Sequence, residues 1–401
     1  MRNPSRARLA VTVAFMAHGL VFSSWLPHIP SIKRDLGLSD GQLGLLLLGP
    51  PAGAMIAMSL TGAACARWGS ARVTRVTLVA YALGTCALGA GAAAGSPWWL
   101  AIALLWAGAL VGAYDVAMNA QAATVERALG RPVMGSFHAS WSLAAAGGAA
   151  IGGWVVQRDG GGPGHLLGVQ LLVLGAVALL ATVPLFWSLL DDEAPETDAP
   201  KQKWRFERGL ILLSIVAFAG LLAEGACADW SAVFLSQERA ASPFVASLGY
   251  TMFSVAMLTG RLAGDRLVSR FGRARSIGFA ALTGGGGMAA GLVVSGLAGP
   301  DSLGRTAFVA GLVILGLGIA VIVPVAFSAA ADGPGIAAVS TGGYTGWLLG
   351  PAIIGGLGQW LGLSAAIWTV PALAVMAGAV APLGVRALRA SSERRIVPTS
   401  Q

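Results

Sequence analysis

The sequence predicts an all-α membrane protein with twelve transmembrane helices in two pseudo-symmetric six-helix bundles. Of its 401 residues, 56% are hydrophobic and only 11% are charged, whereas soluble domains carry about 25% charged residues. The mean hydropathy is +0.73. The 57 glycines lie within apolar runs and show no Gly-X-Y period. Small residues of this kind let membrane helices approach closely. These observations exclude a soluble globule, a collagen and a low-complexity chain.

Each predicted span is an apolar run of about 20 residues or more, which is long enough to cross the hydrocarbon core. Glycine and proline separate the runs. The first run is too long for a signal peptide and lacks a clear small-residue cleavage site, so we expect it to stay uncleaved. The spans are Leu9–Ile29, Gly41–Ala66, Val73–Gly95, Pro97–Val125, Val133–Val156, Gly164–Leu189, Gly209–Leu235, Pro243–Val268, Ser276–Ala298, Arg305–Ala331, Gly335–Leu361 and Leu363–Val385.

The Lys and Arg residues are distributed unevenly between the two sides of the predicted membrane. With the N-terminus inside, 21 of the 26 lie in segments on the inner side and 5 on the outer side. Because basic loops remain in the cytoplasm, we expect a multi-pass protein of the cell membrane with both termini cytoplasmic. The net charge of +8 is then a topology signal and does not indicate nucleic-acid binding.

A polar segment divides the chain into an N-terminal half, residues 1–190, and a C-terminal half, residues 208–401. This segment, residues 191–207, is first acidic and then basic and contains two prolines, so we expect a cytoplasmic linker. The halves also share a loop, because Ala66–Arg72 and Ser269–Arg275 are identical at four of seven positions. Parallel repeats place a binding site between the halves, near the middle of the bilayer.

Six plus six spans, a cytoplasmic linker and a basic Arg-Gly loop after the second span of each half resemble the major facilitator superfamily. The loop motif of that family is Gly-x-x-x-Asp-Arg-x-Gly-Arg-Arg/Lys. Ala66 and Ser269 stand where the family has Asp. Asp265, four residues after Arg261 on the predicted helix, is expected to supply the missing ion pair. The resemblance implies a gating role for this pair and for the matching loop residues, which are Arg67, Gly69, Arg270, Gly272 and Arg273.

The fourth predicted span carries an acid and an amide near its centre. Asp115-Val-Ala-Met-Asn119 resembles the acidic-x-x-x-Asn segment of the fucose-permease-like, proton-coupled branch of that superfamily. Four residues separate the two side chains, so they share a helix face. Asp115 is therefore a candidate proton-coupling residue. Asn119 is expected to bind its carboxyl group or a solute hydroxyl. The structural alternative is a polar contact that holds helices together.

The seventh predicted span contains a second acid near its centre, Glu224, and a third nearer its outer end, Asp229. Ionisable residues at this depth usually face a cavity and have a function. The first, fourth, seventh and tenth spans line the cavity in the superfamily, so Glu224 is the second candidate for proton coupling. Asp229 is predicted to line the outer vestibule or to anchor an outer gate with Arg239, and a structural role is the alternative.

Substrate contacts are predicted from the remaining polar and aromatic side chains inside the spans. His18 lies in the middle of the first span, and His138 lies near the start of the fifth. A histidine can relay protons, although a hydrogen-bonded packing role is the alternative for both. Trp25, Tyr344 and Trp347 are the aromatic residues that we expect to stack on a solute. Packing or anchoring at the membrane interface is their alternative role.

These features favour a secondary active transporter that moves a small organic solute by alternating access, with proton symport as the first hypothesis. Proton-antiport efflux of drugs or metabolites is the alternative within this class, and a polytopic membrane enzyme or sensor is the alternative outside it.

The sequence contains no phosphate loop, zinc spacing or nucleophile motif, so we expect no cofactor or metal. The expected partners are the solute, a proton and the lipid bilayer, and we expect a monomer. Few cationic residues lie mid-span, which argues against a strongly anionic solute.

The topology can be tested with reporter fusions. A reporter fused after Ala199 is expected to be active in the cytoplasm, and one fused after Gly162 in the periplasm, because of the distribution of basic loops. Phosphatase and fluorescent-protein fusions at these two positions measure the side directly. The opposite location at either position would contradict the predicted number of spans.

Overall fold

The computed structural model describes residues 3–131, 133–159, 165–191, 207–330 and 333–396. All regular secondary structure of these residues is helical. Most of the predicted linker, residues 192–206, lies outside the described residues, as do the fusion positions Gly162 and Ala199. Below, the N-terminal half means the described residues up to 191, and the C-terminal half means those from 207 onward. Their assignment as two separate bundles stays a prediction.

The helices of the N-terminal half include three short segments, α2, α3 and α6, which continue or precede longer helices. A 3-10 segment, Leu26–His28, joins α1 to α2, and another, Val183–Ser188, follows α9. The α-helices are α1 Pro4–Ser24, α2 Ile29–Asp35, α3 Asp40–Leu46, α4 Gly49–Trp68, α5 Ser70–Gly84, α6 Ala87–Ala93, α7 Pro97–Leu129, α8 Met134–Arg158 and α9 His165–Thr182.

The C-terminal half begins with two long helices and ends with another. Its α-helices are α10 Arg208–Glu238, α11 Pro243–Phe271, α12 Arg273–Ala298, α13 Ser302–Ile319, α14 Ile322–Ala329, α15 Gly333–Leu361, α16 Leu363–Ala366 and α17 Thr369–Ile396.

Capping side chains and glycines set the ends of these helices. Ser39 and Gln42 form a reciprocal capping box at the start of α3, which satisfies backbone N–H groups that have no partner within the helix. The chain turns from α4 to α5 at Gly69 and from α11 to α12 at Gly272, with φ values of 81° and 76°. Glycine adopts this conformation without a steric penalty. The two loops of the predicted repeat therefore have similar backbone turns.

Eleven helical segments among the described residues are long and apolar enough to cross a membrane. They correspond to eleven of the twelve predicted spans. The remaining predicted span, Gly335–Leu361, is not among them, although its residues belong to one 29-residue helix, α15. An all-helical protein with many membrane-spanning helices is therefore confirmed, as expected where hydrocarbon offers the backbone no hydrogen-bond partner. The number of twelve stays a prediction.

Small residues let neighbouring helices approach until their backbones touch. Where α4 crosses α7, Gly53 faces the backbone of α7. A Cβ atom at Gly53 would collide with the Leu105 carbonyl oxygen and lie 2.8 Å from the Ala109 nitrogen. In the opposite direction, Gly108 of α7 lies against the backbone of Pro50. The glycine content therefore provides close helix packing rather than flexible loops.

The backbones of the two halves are in direct contact at one end of the bundle. We call this end, which contains α2 and α3, the distal end; it lies away from the N-terminus. Gly44 of α3 packs on α15, where an added Cβ atom would lie 2.6 Å from the Pro351 carbonyl oxygen and 2.9 Å from Gly355 Cα. The Lys33 ammonium group donates a hydrogen bond to Gln237 Oε1 of α10 at 2.7 Å. The halves are thus closed against each other at the distal end.

The packing of α4 on α7 makes Gly53 and Gly62 a matched pair for a stability test. Gly53→Ala is expected to lower the free energy of unfolding by about 1–3 kcal/mol, because the backbones must move apart. A Cβ atom added at Gly62 would have no neighbour within 4 Å. Gly62→Ala is therefore expected to be neutral or to stabilise the protein by up to about 1 kcal/mol through helix propensity. Thermal unfolding in detergent measures both. Equal effects of the two substitutions would contradict the close packing at Gly53.

Candidate functional site: a polar cavity between the halves

A cavity of about 220 Å³ lies between the two halves. Its wall combines residues of α1, α4, α7 and α8 with residues of α10, α11 and α15. Among the described residues, no wall residue comes from α13 or α14, which form the tenth predicted span. The wall residues with polar atoms in their side chains are His18, Asp115, His138, Trp141, Glu224, Tyr250, Arg261, Tyr344 and Trp347. The cavity thus brings together six residues that the sequence places in five different spans: His18, Asp115, His138, Glu224, Tyr344 and Trp347.

Asp115 and Asn119 form a local pair on α7. The Asn119 Nδ2 group donates to the Asp115 carboxylate Oδ1 at 3.1 Å and to the Asp115 carbonyl oxygen at 2.9 Å. The predicted shared helix face is therefore present. Asp115 reaches the cavity wall and Asn119 does not, so Asn119 lies behind the carboxylate as its donor. A direct contact between Asn119 and a solute stays a prediction.

Glu224 of α10 forms an ion pair that the sequence analysis does not predict. Arg261 of α11 lies with its Nη2 atom 3.2 Å from Glu224 Oε1, and its Nη1 atom donates to Ser142 Oγ of α8 at 2.7 Å. Ser142 belongs to the N-terminal half, so one guanidinium group contacts both halves.

The expected pairing of Arg261 with Asp265 stays a prediction. Arg261 lies inside a helix that continues to Phe271, and its guanidinium group is in the cavity wall. The side chain of Asp265 lies outside the described residues. Arg261 is the one lysine or arginine among the described wall residues of this cavity, in keeping with the expectation of few cationic groups in the middle of the spans. Linear spacing along one helix could not reveal a partner on another helix.

His18 of α1 is buried among aromatic rings that come from several helices. The Trp141 indole N–H donates to His18 Nδ1 at 2.8 Å, so the neutral imidazole carries its proton on Nε2. The Tyr81 hydroxyl donates to the His18 carbonyl oxygen at 3.0 Å. His138 packs edge-on against Phe15, with ring centroids 5.2 Å apart. Both histidines therefore line the cavity and also take part in packing, which leaves the two predicted roles open.

The three predicted stacking residues lie in two different cavities. Tyr344 and Trp347 line the central cavity, and the Trp347 indole lies against Gly225, where a Cβ atom would be 3.0 Å from its Cδ1. Trp25 instead lines a smaller and largely apolar cavity of about 30 Å³. Phe22 and Trp347 border both cavities. The sequence could not assign Trp25 to a separate cavity, because the partition is made of side chains from several helices.

The loop residues predicted to act in gating occupy similar positions in the two halves. Arg67 and Arg270 each place the guanidinium group over the next aromatic ring, at 5.7 Å from Trp68 and 5.6 Å from Phe271. Gly69 and Gly272 provide the turns described above, and Arg273 is exposed at the start of α12. No described acidic side chain forms an ion pair with these arginines. Their gating role stays a prediction.

Asp229 and Arg239 do not form the predicted outer pair. Asp229 is half-buried on α10. The Arg239 guanidinium group donates to Ser295 Oγ at 2.7 Å and to the Glu238 carbonyl oxygen at 2.7 Å, and it lies over the Phe234 ring. Arg239 follows the last residue of α10, and its guanidinium group lies between the end of that helix and Ser295 of α12. The pairing of these two residues is therefore corrected.

A polar network that the sequence does not predict lies at the distal end. Lys33 forms an ion pair with Asp40 in its own half and a hydrogen bond with Gln237 of the other half. Next to it, the Gly41 backbone N–H donates to Gln359 Oε1 of α15 at 3.4 Å. Lys33 is buried in the structure, and an unpaired lysine is rarely buried, but the linear sequence does not distinguish it from an exposed loop lysine. Its partners become visible only in the fold.

This chain matches one protein family and is similar in sequence to several known proteins. The model of the Major Facilitator Superfamily matches residues 11–334. An uncharacterised MFS-type transporter of Yersinia pestis is 36% identical over 389 residues, covering 93% of this chain and 94% of that protein. The membrane protein MosC of Rhizobium meliloti is 31% identical over 382 residues, covering 93% of this chain and 89% of that protein.

Solved structures share the fold at low sequence identity. A D-xylose-proton symporter has a TM-score of 0.71 and 16% identity, with 92% of this chain and 95% of that chain covered. The MFS transporter FucP, in the outward conformation, has a TM-score of 0.60 and 16% identity over 94% of this chain and 98% of that chain. Such identities establish the fold alone. The family match over most of the chain and relatives above 30% identity show that this chain belongs to the Major Facilitator Superfamily of transporters.

Proposed function

We propose that this protein is a secondary active transporter that carries a small organic solute together with a proton by alternating access. The observation that carries the proposal is the central cavity, whose wall comes from both halves and contains the carboxylates of Asp115 and Glu224. Intramembrane acids that face a cavity commonly mark a solute or proton path. Membership of a transporter family favours this function over the membrane enzyme or sensor.

The charges of the cavity favour an uncharged solute in symport. Two carboxylates and the Arg261 guanidinium group give the wall one net negative charge when the histidines are neutral. One proton on Asp115 would neutralise this charge, so a proton and a neutral solute could cross together without exposing a net charge to low dielectric. An anionic solute would add a negative charge that no group of the protonated wall compensates.

The size and lining of the cavity favour a compact solute with hydroxyl groups. Aromatic rings give it flat apolar surfaces, and the carboxylates and N–H groups offer both acceptors and donors. The D-xylose-proton symporter and the fucose:proton symporter FucP of E. coli, which share this fold, make D-xylose and L-fucose sensible first probes. The nucleoside transporter NupG adds uridine.

Proton-antiport efflux is the second candidate, and the same net negative charge supports it. A solute with one ammonium group could compete with the proton for the Asp115 carboxylate and leave when the proton binds. The two candidates differ in the direction of coupling. A symporter accumulates solute on the side that protons enter, and an antiporter moves solute toward the side from which protons come.

The coupling site can be tested by transport in proteoliposomes. With an inward proton gradient, Asp115→Asn is expected to abolish accumulation of the transported compound, because the neutral amide cannot carry a proton. Solute exchange without a gradient is expected to continue, since the substitution preserves the shape of the side chain. Uptake and counterflow of radiolabelled D-xylose, L-fucose and uridine measure the two processes.

Two outcomes would contradict this assignment of the coupling residue. Accumulation that survives Asp115→Asn and is lost in Glu224→Gln would transfer the proton site to α10. Accumulation that survives both substitutions would make the intramembrane acids structural. Absence of binding and exchange for all the probes, followed by proton-driven export of a cationic dye, would favour the antiport candidate.

Alternating access further requires that the distal end open during transport. The topology inferred from the basic loops makes this the outer end, so we propose that the structure is closed toward the outside. Gly41 and Gln359 face each other across this contact, and a Cβ atom at Gly41 would lie 3.5 Å from Gln359 Cβ. That separation is compatible with a disulfide bond between the halves.

A reversible cross-link tests this gate. In a chain in which Cys65, Cys86 and Cys227 are replaced by alanine, Gly41→Cys with Gln359→Cys is expected to form a disulfide and reduce transport by at least about tenfold. A reducing agent should restore transport, because it lets the distal end open again. The matched control pairs Gly41→Cys with Gly356→Cys, a position on α15 with no neighbour within 4 Å. Undiminished transport with the cross-link intact would exclude opening at this end.

A further inference from the structure

The two acids of the cavity have different kinds of partner. Asp115 accepts a hydrogen bond from Asn119, a neutral amide on the next turn of its own helix. Glu224 faces the Arg261 guanidinium group, 3.2 Å away on a different helix. Both side chains of this ion pair are largely buried, at 24% and 22% exposure. Among the described wall residues, Arg261 is the only Lys or Arg.

We propose, on the basis of the proposed function, that Arg261 is a positioning residue that keeps Glu224 as a permanent carboxylate and leaves Asp115 as the single proton carrier. A buried carboxylate beside a guanidinium group is compensated by that charge, and protonation would leave the cation unpaired and costly. In the part of the chain that the structure describes, no cation lies at hydrogen-bond distance from the Asp115 carboxylate, so the gain of a proton removes an uncompensated charge. The two acids are thereby assigned different roles.

The hydrogen bond to Ser142 extends this pair to the other half. Ser142 Oγ accepts from Arg261 Nη1 at 2.7 Å and donates to the His138 carbonyl oxygen at 3.1 Å, so the direction of both bonds is fixed. Glu224 and Arg261 belong to the same half, whereas Ser142 belongs to the other. Separation of the halves along α8 and α11 therefore breaks the bond to Ser142 and preserves the ion pair. The ion pair of Glu224 and Arg261 therefore stays intact and electrically neutral throughout the transport cycle.

Other ionisable groups face the same space and must be considered in any titration. They come from four of the seven helices that form the wall. These groups are His18 on α1, His138 on α8, Tyr250 on α11 and Tyr344 on α15. None of them is a carboxylic acid, so the carbonyl stretch of a protonated carboxyl group distinguishes Asp115 and Glu224 from all of them. The other two acids of the predicted spans, Asp229 and Asp265, are identified separately by Asp229→Asn and Asp265→Asn.

Infrared difference spectroscopy of the full chain in liposomes tests the proposal without a solute. Spectra taken between acidic and alkaline pH should contain a titrating carboxylic-acid band that Asp115→Asn removes and Glu224→Gln leaves in place. Arg261→Gln should add one further band, because Glu224 then has no cation and can take up a proton. The double variant Arg261→Gln/Glu224→Gln should lose this added band. Arg266→Gln, an exposed arginine on the same helix, is the control and should change nothing.

The outcomes separate this proposal from the transport function. Loss of a titrating band in Glu224→Gln alone, or no added band in Arg261→Gln, would overturn it even if the protein transports a probe. If Arg261→Gln does not fold, Ser142→Ala and Arg261→Lys remain informative. Arg261→Lys retains the charge and should show no added band, and Ser142→Ala should leave all bands unchanged while it weakens contact between the halves. Failure of every transport probe leaves the expected spectra unaffected.

Discussion

The whole structure depends on how closely helices can pack in a medium that gives the backbone no hydrogen-bond partner. In hydrocarbon the chain must satisfy its own N–H and C=O groups, so the spanning segments are helical. Lipid tails are as apolar as leucine, and helices are therefore held by close contact rather than by burial of apolar surface. Gly53 against Leu105 joins two helices of one half. Gly44 against Pro351 applies the same contact between halves, where it closes the distal end.

The polar groups follow from the same constraint. An isolated charge in the spans is costly, so Asp115, Glu224 and Arg261 lie where the halves face each other. Their partners differ in origin. Asn119 reaches Asp115 because both lie one helical turn apart, whereas Arg261 reaches Glu224 only because α11 packs beside α10. The cavity therefore combines one acid supported locally with one acid supported by tertiary contacts, and this difference underlies the roles proposed for them.

The fold and part of the site could be predicted from local signals. Long apolar runs gave the helices and their order, and the Arg-Gly loops predicted a repeat whose two glycines, Gly69 and Gly272, both adopt positive φ. Mid-span acids were recognisable as candidates because so few charges occur there. The pairing of Arg261 with Glu224 could not be predicted, since the spacing to Asp265 describes only neighbours along one helix. Trp25 was likewise indistinguishable from Trp347, because each is an aromatic residue near other apolar residues in sequence.

By itself, the sequence determined the membrane-spanning helical architecture, the helix-turning glycines and the helix face that Asp115 and Asn119 share. These depend on hydropathy, backbone conformation and the helical period, which act over a few residues. The tertiary structure alone decided which side chains share a cavity, which cation compensates Glu224, and which backbones of the two halves are in contact. Those features depend on distances between residues more than a hundred positions apart in some cases, as for Ser142 and Arg261, and such distances exist only after the helices have packed.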